Sequence, residues 1–378
     1  MALLKNNVLG IILQIFRRVE MFSFIKRVMS SLNQNQQSGD NSTNLQAREI
    51  TLHQGISYSD AKEIANDVFK ANFIVLKQEA ALIAQNRAEE VTEKVISQLE
   101  SRHPDSLNQF QTPALQNALF TVQKQYAISG DQDLGDLLVD ILVDRAASPK
   151  RDMVQIVLDE SLGVAPKLTL EQFDTLTLNF LFTKHRRLDV KSYQDLIAHF
   201  KNRVIPFSEK LSDKHSDYSH LEYLGCGYVR AGNYGQLEAI IRTNYKAFFS
   251  KGFSEAELEE VVGTGVNVNG LIMRCLHDPR KLQLTALDDD ILENIADRNG
   301  LSSEVKQNLK QLFESSTKTV DEIKEMLITA MPEMERVFDV WVDSPFDQFE
   351  LTSVGIAIAH ANYRRRIKES MDLSIWIK

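Results

Sequence analysis

No glycine in this chain is followed by lysine, which excludes a P-loop, where that lysine reaches the terminal phosphates. The dinucleotide fingerprint is missing as well. The nearest glycine loop, residues 263–270, has Val268 where the third glycine belongs and no strand leading into it, so it reads as a flexible loop. The hydrolase elbow fails at Ser57, because Ser59 stands where its second glycine is required. Cysteine is scarce: Cys226 and Cys275 are too few for a disulfide framework or a four-cysteine zinc site, and they fit a reducing cytoplasm. Long hydrophobic runs are absent too. The apolar run at 8–16 contains Gly10 and Gln14 and falls far short of the roughly 20 residues of a membrane span. A formal charge of −9 argues against general nucleic-acid binding, which needs concentrated basic surface.

What is present is an ordinary soluble composition, 43% hydrophobic and 25% charged over 378 residues, long enough to bury a sizeable core. The head departs from the acidic balance, with Lys5, Arg17, Arg18, Lys26 and Arg27 facing Glu20 alone across residues 1–30, a net +4. Basic residues flank the apolar run on both sides and no small-residue cleavage site follows, which argues against secretion. Two readings stay open: a weak contact of residues 1–30 with a membrane surface, or a start at Met21, which opens "MFSFIKRVMSSL".

A polar linker at 33–44 has too little apolar surface to pack alone. Around it, Thr43, Leu45 and Ala47, then Ile50 and Leu52, alternate with period two and predict two very short strands. Two lone strands are marginal in water. The candidate assembly residues are therefore Leu45, Ala47, Ile50 and Leu52, which another copy of the chain would cover. From Ser59, with Ser57 or Ser59 as cap, Ala61, Ile64, Ala65, Val68 and Phe69 mark one helical face, continued by Leu82, Ile83, Val91, Val95 and Leu99. This predicts one helix of some forty residues, about 60 Å long, or two joined with a kink. Shorter helices punctuated by Pro and Gly follow to residue 330, among them 132–147, 169–184 and 216–230. At the end, "FELTSVGIAIAHANYRRR" and "DLSIWIK" read as strand, helix, basic turn and last strand, with Phe349, Leu351, Ile375 and Ile377 on one face of paired strands. The expected fold is mainly α. Its parts are a head and linker at 1–37, a β element at 38–55, a long helix at 57–103, a helical body at 104–335 and a strand-helix-strand element at 336–378.

Candidate chemistry concentrates in two places. In "HSDYSHLEYLGCGY", His215, Asp217, His220, Glu222 and Cys226 are ligand types, but the two histidines are five apart and do not share a helix face well. Packing of Leu221, Leu224, Cys226 and Tyr228, with His220 and Tyr223 hydrogen-bonded, is preferred over a zinc or Cys-His site. His220, Glu222 and Tyr223 are kept as polar candidates. Asp136, Asp140 and Asp144 recur every four residues, with Asp133 a turn earlier; such like-charge spacing is unfavourable unless compensated. A solvated or salt-bridged face is expected, with Arg145, Lys150 and Arg151 as partners near in sequence, against a divalent cation or basic partner surface. Arg48 and His53 form the R-x4-H of the helical toxin superfamily known as HEPN, but in a period-two segment rather than on a helix. No metal and no cofactor is expected.

Several stretches together, "GDNSTNLQA", "ISYSDAKEIANDVFKANF", "AEEVTEKVISQL", "SGDQDLGDLLVDILVDRA", "HLEYLGCG" and "LTSVGIAIAHAN…DLSIWI", resemble a family of bacterial proteins known only by locus tags, from about Phe22 onward. More distantly, residues 134–145, "LTLEQFDTLTLNFLF" and "LTSVG" resemble the Abi-alpha group of abortive-infection proteins. The resemblance implies a place in phage defence and transfers no catalytic residue. The functional expectation is a non-enzymatic, self-assembling bacterial protein, a homo-oligomer with room for a protein partner. The alternative is a defence effector with nuclease or membrane-disrupting activity.

Overall fold

The computed structural model describes residues 56–72, 78–263, 266–369 and 371–377. The alternating residues Leu45, Ala47, Ile50 and Leu52, the basic head and the Arg48–His53 pair lie outside them. The mainly α expectation holds: among the described residues the strands are four three-residue segments, β1 (Gly227–Val229), β2 (Ile272–Arg274), β3 (Leu282–Leu284) and β4 (Phe349–Leu351).

Over 58–102 the two-helix reading is the observed one. Helix α1 (Tyr58–Asn72) and α2 (Gln78–Arg102) are folded back on each other, so that Lys62 reaches Glu93 at 2.5 Å; there is no single rod. Ser57 is the cap: its hydroxyl accepts from Asp60 N at 3.3 Å and Ser57 N donates to the Asp60 carboxylate at 3.0 Å. This reciprocal pairing satisfies donors that the first turn leaves orphaned. Ala61, Ala65 and Phe69 are buried, as the periodicity required. Leu82 and Ile83, expected on the buried face, are instead 60% and 52% exposed.

Helix α3 (Pro113–Ser129) lies against both arms of this hairpin. Its Gln123 is fully buried and donates to Ala65 O at 3.1 Å and Thr92 Oγ1 at 2.9 Å. A sharp turn at Gly130, φ +62°, leads to α4 (Gln132–Ala147), followed by α5 (Met153–Val164) and α6 (Leu170–Thr183). Against α4, α5 and α6 packs α15 (Ser353–Ile367), whose residues from Gly355 to Arg364 are all buried. A helix buried on every face belongs in the middle of a core, and α15 occupies that place with its polar His360, Asn362 and Arg364 hydrogen-bonded.

Between them run α7 (Tyr193–Arg203), α8 (His215–Tyr223), α9 (Leu237–Asn244), α10 (Glu255–Val262), α11 (Asp289–Arg298), α12 (Ser303–Ser315), α13 (Val320–Ala330) and α14 (Met334–Asp343). Two expectations are corrected here. The helix expected at 216–230 stops at Tyr223, because Gly225 takes φ +73° and Gly227 enters β1, antiparallel to β4 with Gly227 opposite Leu351 and Val229 opposite Phe349. A Cβ on Gly227 would lie 2.7 Å from Glu350 O, and one on Gly355 only 1.9 Å from Cys226 O. Residues 335 and 336 lie inside α14, which buries Met334, Val337, Phe338, Val340 and Trp341. The last segment is not a strand: Leu373–Ile375 form a 3-10 turn, Ile377 is buried, and Ile375 is 61% exposed.

Two cores coexist. The larger joins α1–α9 with α13–α15. A smaller one gathers Phe253, Leu258, Leu271, Leu284, Leu292, Leu309 and Phe313 around the β2–β3 hairpin and α10–α12. Val266 and Val268 of the glycine loop pack against it.

An ion-paired seam and its cleft as the candidate functional site

The aspartate stripe of α4 is not solvated along its length. Asp136 accepts from Lys94 at 2.8 Å. Asp140 accepts from Arg102 Nη1 at 3.1 Å and from Arg364 Nε at 3.2 Å. Asp144 accepts from Arg102 Nη2 at 2.9 Å and from Arg364 Nη1 at 2.6 Å. Asp133 pairs with Arg365. The expected partners Arg145, Lys150 and Arg151 are thus replaced by groups from α2 and α15, and Arg145 donates to Asp159 instead, at 2.7 Å. A helix carrying aspartates every fourth residue can enter a core because two other helices bring guanidinium groups to the same face.

The center of the seam is a quartet, two carboxylates bridged by two guanidinium groups. Asp140 and Arg364 are 9% and 8% exposed at the side chain. Burial raises the Asp140 carboxyl above its usual range, against the lowering effect of Arg364 and Arg102. Removing one partner from such a group leaves an uncompensated charge in the interior. The run Arg364-Arg365-Arg366 fans out from the last turn of α15: Arg364 into the quartet, Arg365 to Asp133 and to Asn362 Oδ1 at 3.1 Å, and Arg366 to Asp174 at 2.7 Å. Burial likewise raises Asp174, opposed by Arg366.

A cleft of about 420 Å³ opens beside the quartet. Arg102, His103, Asp144 and Arg364 form one side, Asp152 and Leu158 of α5 another, and residues 371–374 close a third. Asp152 caps α5 by accepting from Gln155 N at 3.0 Å, and Asp372 accepts from Ser374 N at 2.9 Å. On the other side of the arginine run lies a smaller polar cavity of about 230 Å³, lined by Asp133, Asp174, Lys210, Arg365 and Arg366. These arginines, Lys94 and Arg102 are the residues that sequence reasoning missed. The available signal was "RRR" at 364–366 standing in the same chain as an equally regular run of aspartates.

The other polar candidates do not converge. His220 Nδ1 lies 3.0 Å from Gln172 Nε2, and Gln172 completes the capping box of α6 with Thr169, so His220 braces α8 against α6. Glu222 is exposed and Tyr223 is 85% exposed. Cys226 is fully buried and burial pushes its thiol up to about 12, the wrong direction for a nucleophile. Among the described residues, no three His, Cys, Asp or Glu side chains are grouped to hold a metal ion, and no helix is long and apolar enough to cross a membrane.

A family model designated only by a locus tag and the suffix "-like" matches residues 55–377. The chain belongs to that family. The matched span takes in the helical body, both halves of the seam and the last turn against which the cleft closes. No curated protein and no solved structure matches the chain.

Proposed function

We propose that this chain is a non-enzymatic, self-assembling bacterial protein of the cytoplasm. The observation that carries the reading is the exposed apolar surface of α2 and α3. Leu82, Ile83 and Ile128 are 60%, 52% and 59% exposed, next in sequence to the small cluster of Ala84, Ala88, Ala127 and Phe69. A second copy covering these side chains would remove apolar surface from water. The alternating residues Leu45, Ala47, Ile50 and Leu52 supply the other assembly element, since they need strands the rest of the chain has little of. Phage defence is the proposed setting, on the resemblance of 134–145 and "LTSVG" to the Abi-alpha group; the family match carries no activity of its own.

The cleft beside Arg102 and His103 favours a second reading, a defence effector acting on a bound ligand. Light scattering on the full chain, on a chain lacking 38–55 and on Leu82→Ser/Ile83→Ser separates the two when paired with survival of infected cells. The first reading expects an oligomer, loss of mass in the variants and loss of protection with it. A full chain that is monomeric at micromolar concentration rules it out. Protection that survives loss of assembly and disappears in His103→Ala supports the effector.

A further inference from the structure

We propose that residues 252–315 form an inserted lobe that undocks from the body as a unit, swinging on a two-stranded neck and uncovering a cationic face that its own carboxylates occupy when docked. The chain leaves the body at Ser250 and returns at Thr317, and these two residues pair in an antiparallel bridge. Lys251 N donates to Ser316 O at 2.6 Å and Lys318 N to Phe249 O at 2.8 Å. Entry and exit therefore form one short ladder, and ends that lie together let a chain carry an inserted module without disturbing its host. Gly252, at φ +72°, follows the neck directly, in a backbone conformation that glycine takes at little cost.

The lobe has a core of its own. Apart from Ala247, the buried members of the smaller core among the described residues fall between Phe253 and Phe313, and from that stretch Leu287 alone is buried in the main core. Ala247, Leu287 and Ile291 are the apolar links between the two cores. The rest of the docking face is polar, and its charge is sorted by side. The body supplies cations, from Arg186 after α6, Arg242 on α9 and Lys246 just beyond it. The lobe supplies anions, from Asp288 and Asp289 at the start of α11 and Glu314 in the last turn of α12.

Lys246 reaches Asp289 at 3.0 Å and Glu314 at 2.8 Å and lies 4.8 Å from the centroid of the Phe313 ring. Arg242 pairs with Glu314 at 2.7 Å. Arg186 lies 2.5 Å from Asp288 Oδ2 as an ion pair without hydrogen-bond alignment. Three hydrogen bonds complete the face: Gln283 Nε2 to Ala247 O at 3.1 Å, His277 Nε2 to Phe248 O at 2.7 Å, and Ala247 N to Leu287 O at 3.3 Å. Opposed potentials of this kind fix the register of a docked surface. Such a face also separates more readily than an apolar one, because undocking returns both partners of every pair to water together and strands no charge in the interior. Lys246, 4% exposed when docked, would regain water along with Arg186 and Arg242.

Hydrogen exchange of the full-length protein, read by mass spectrometry, tests this by comparing peptides of the docking face, residues 245–249 and 285–290, with peptides of the lobe interior in α10 and the β2–β3 hairpin. Raising NaCl from about 0.1 M to about 1 M shortens the Debye length from about 10 Å to about 3 Å, and should speed exchange at the face several-fold while the interior keeps its rate. Asp289→Asn/Glu314→Gln removes two half-exposed carboxylates; its face should exchange about tenfold faster already at low salt, with little further response to salt. Glu293→Gln, which breaks the pair with Lys310 inside the lobe, should leave the face as in the wild type. Face and interior peptides that accelerate together would show the lobe unfolding rather than undocking, and overturn the proposal. A face indifferent to both salt and the double variant overturns it as well. Should the double variant fail to fold, the salt response of the wild type and Glu314→Gln alone give the same decision.

Discussion

At the scale of single residues, the seam shows how charge enters a core without being solvated. Arg364→Met would leave Asp140 buried with only half of its compensation, and should cost about 3–5 kcal/mol in urea unfolding. Adding Asp140→Leu removes the stranded charge as well, so the double variant should be less destabilised than the single one. Equal or additive losses would show that the two groups are not coupled. His220→Ala should cost about 1 kcal/mol, the worth of one hydrogen bond, without changing survival in the infection assay. The stripe itself was readable, because Asp136, Asp140 and Asp144 repeat at helical spacing. Its partners were not: Arg102 and Arg364 stand 42 and 220 residues from Asp144, and no local pattern reports a pairing made by tertiary packing.

Among elements, helices announced themselves through apolar period and caps, as Ser57 and the Thr169–Gln172 box illustrate. The strands did not. Three residues are too few to display alternation, and β1 and β4 are defined by their pairing across more than a hundred residues. The last segment failed for a related reason. Its alternation of Leu373, Ile375 and Ile377 resembles a strand, but Asp372 caps a 3-10 turn and that turn sends Ile375 outward. At Gly355, α15 passes close against the backbone of Cys226, just ahead of β1. Gly355→Ala would place a methyl group 1.9 Å from Cys226 O, and backbone must move to admit it. A loss of about 1–3 kcal/mol or more is expected; an unchanged melting temperature would mean that α15 and β1 are not held as closely as described.

For the whole molecule, the two cores predict two levels of stability. The smaller core of α10–α12 and the β2–β3 hairpin contains fewer buried side chains than the one around α15, and cooperative units with less burial open first. Amides of α10–α12 should exchange with solvent through an opening of lower free energy than those of α6 and α15. One common value for both regions would mean that the molecule opens as a single unit. Apolar periodicity made the helical class legible, yet it could not reveal this division, because both cores draw on the same residue types.

The Arg102–Asp140–Asp144–Arg364 quartet also bears on how such a chain can change over time. Each carboxylate is shared by both guanidinium groups, so every single replacement leaves a surplus charge of one sign in the interior, and the first step of any exchange is a costly one. The four positions should consequently be inherited as a unit across the family, kept together or replaced together by apolar side chains. An aligned set of relatives in which one of the four varies freely while the other three persist would contradict that expectation.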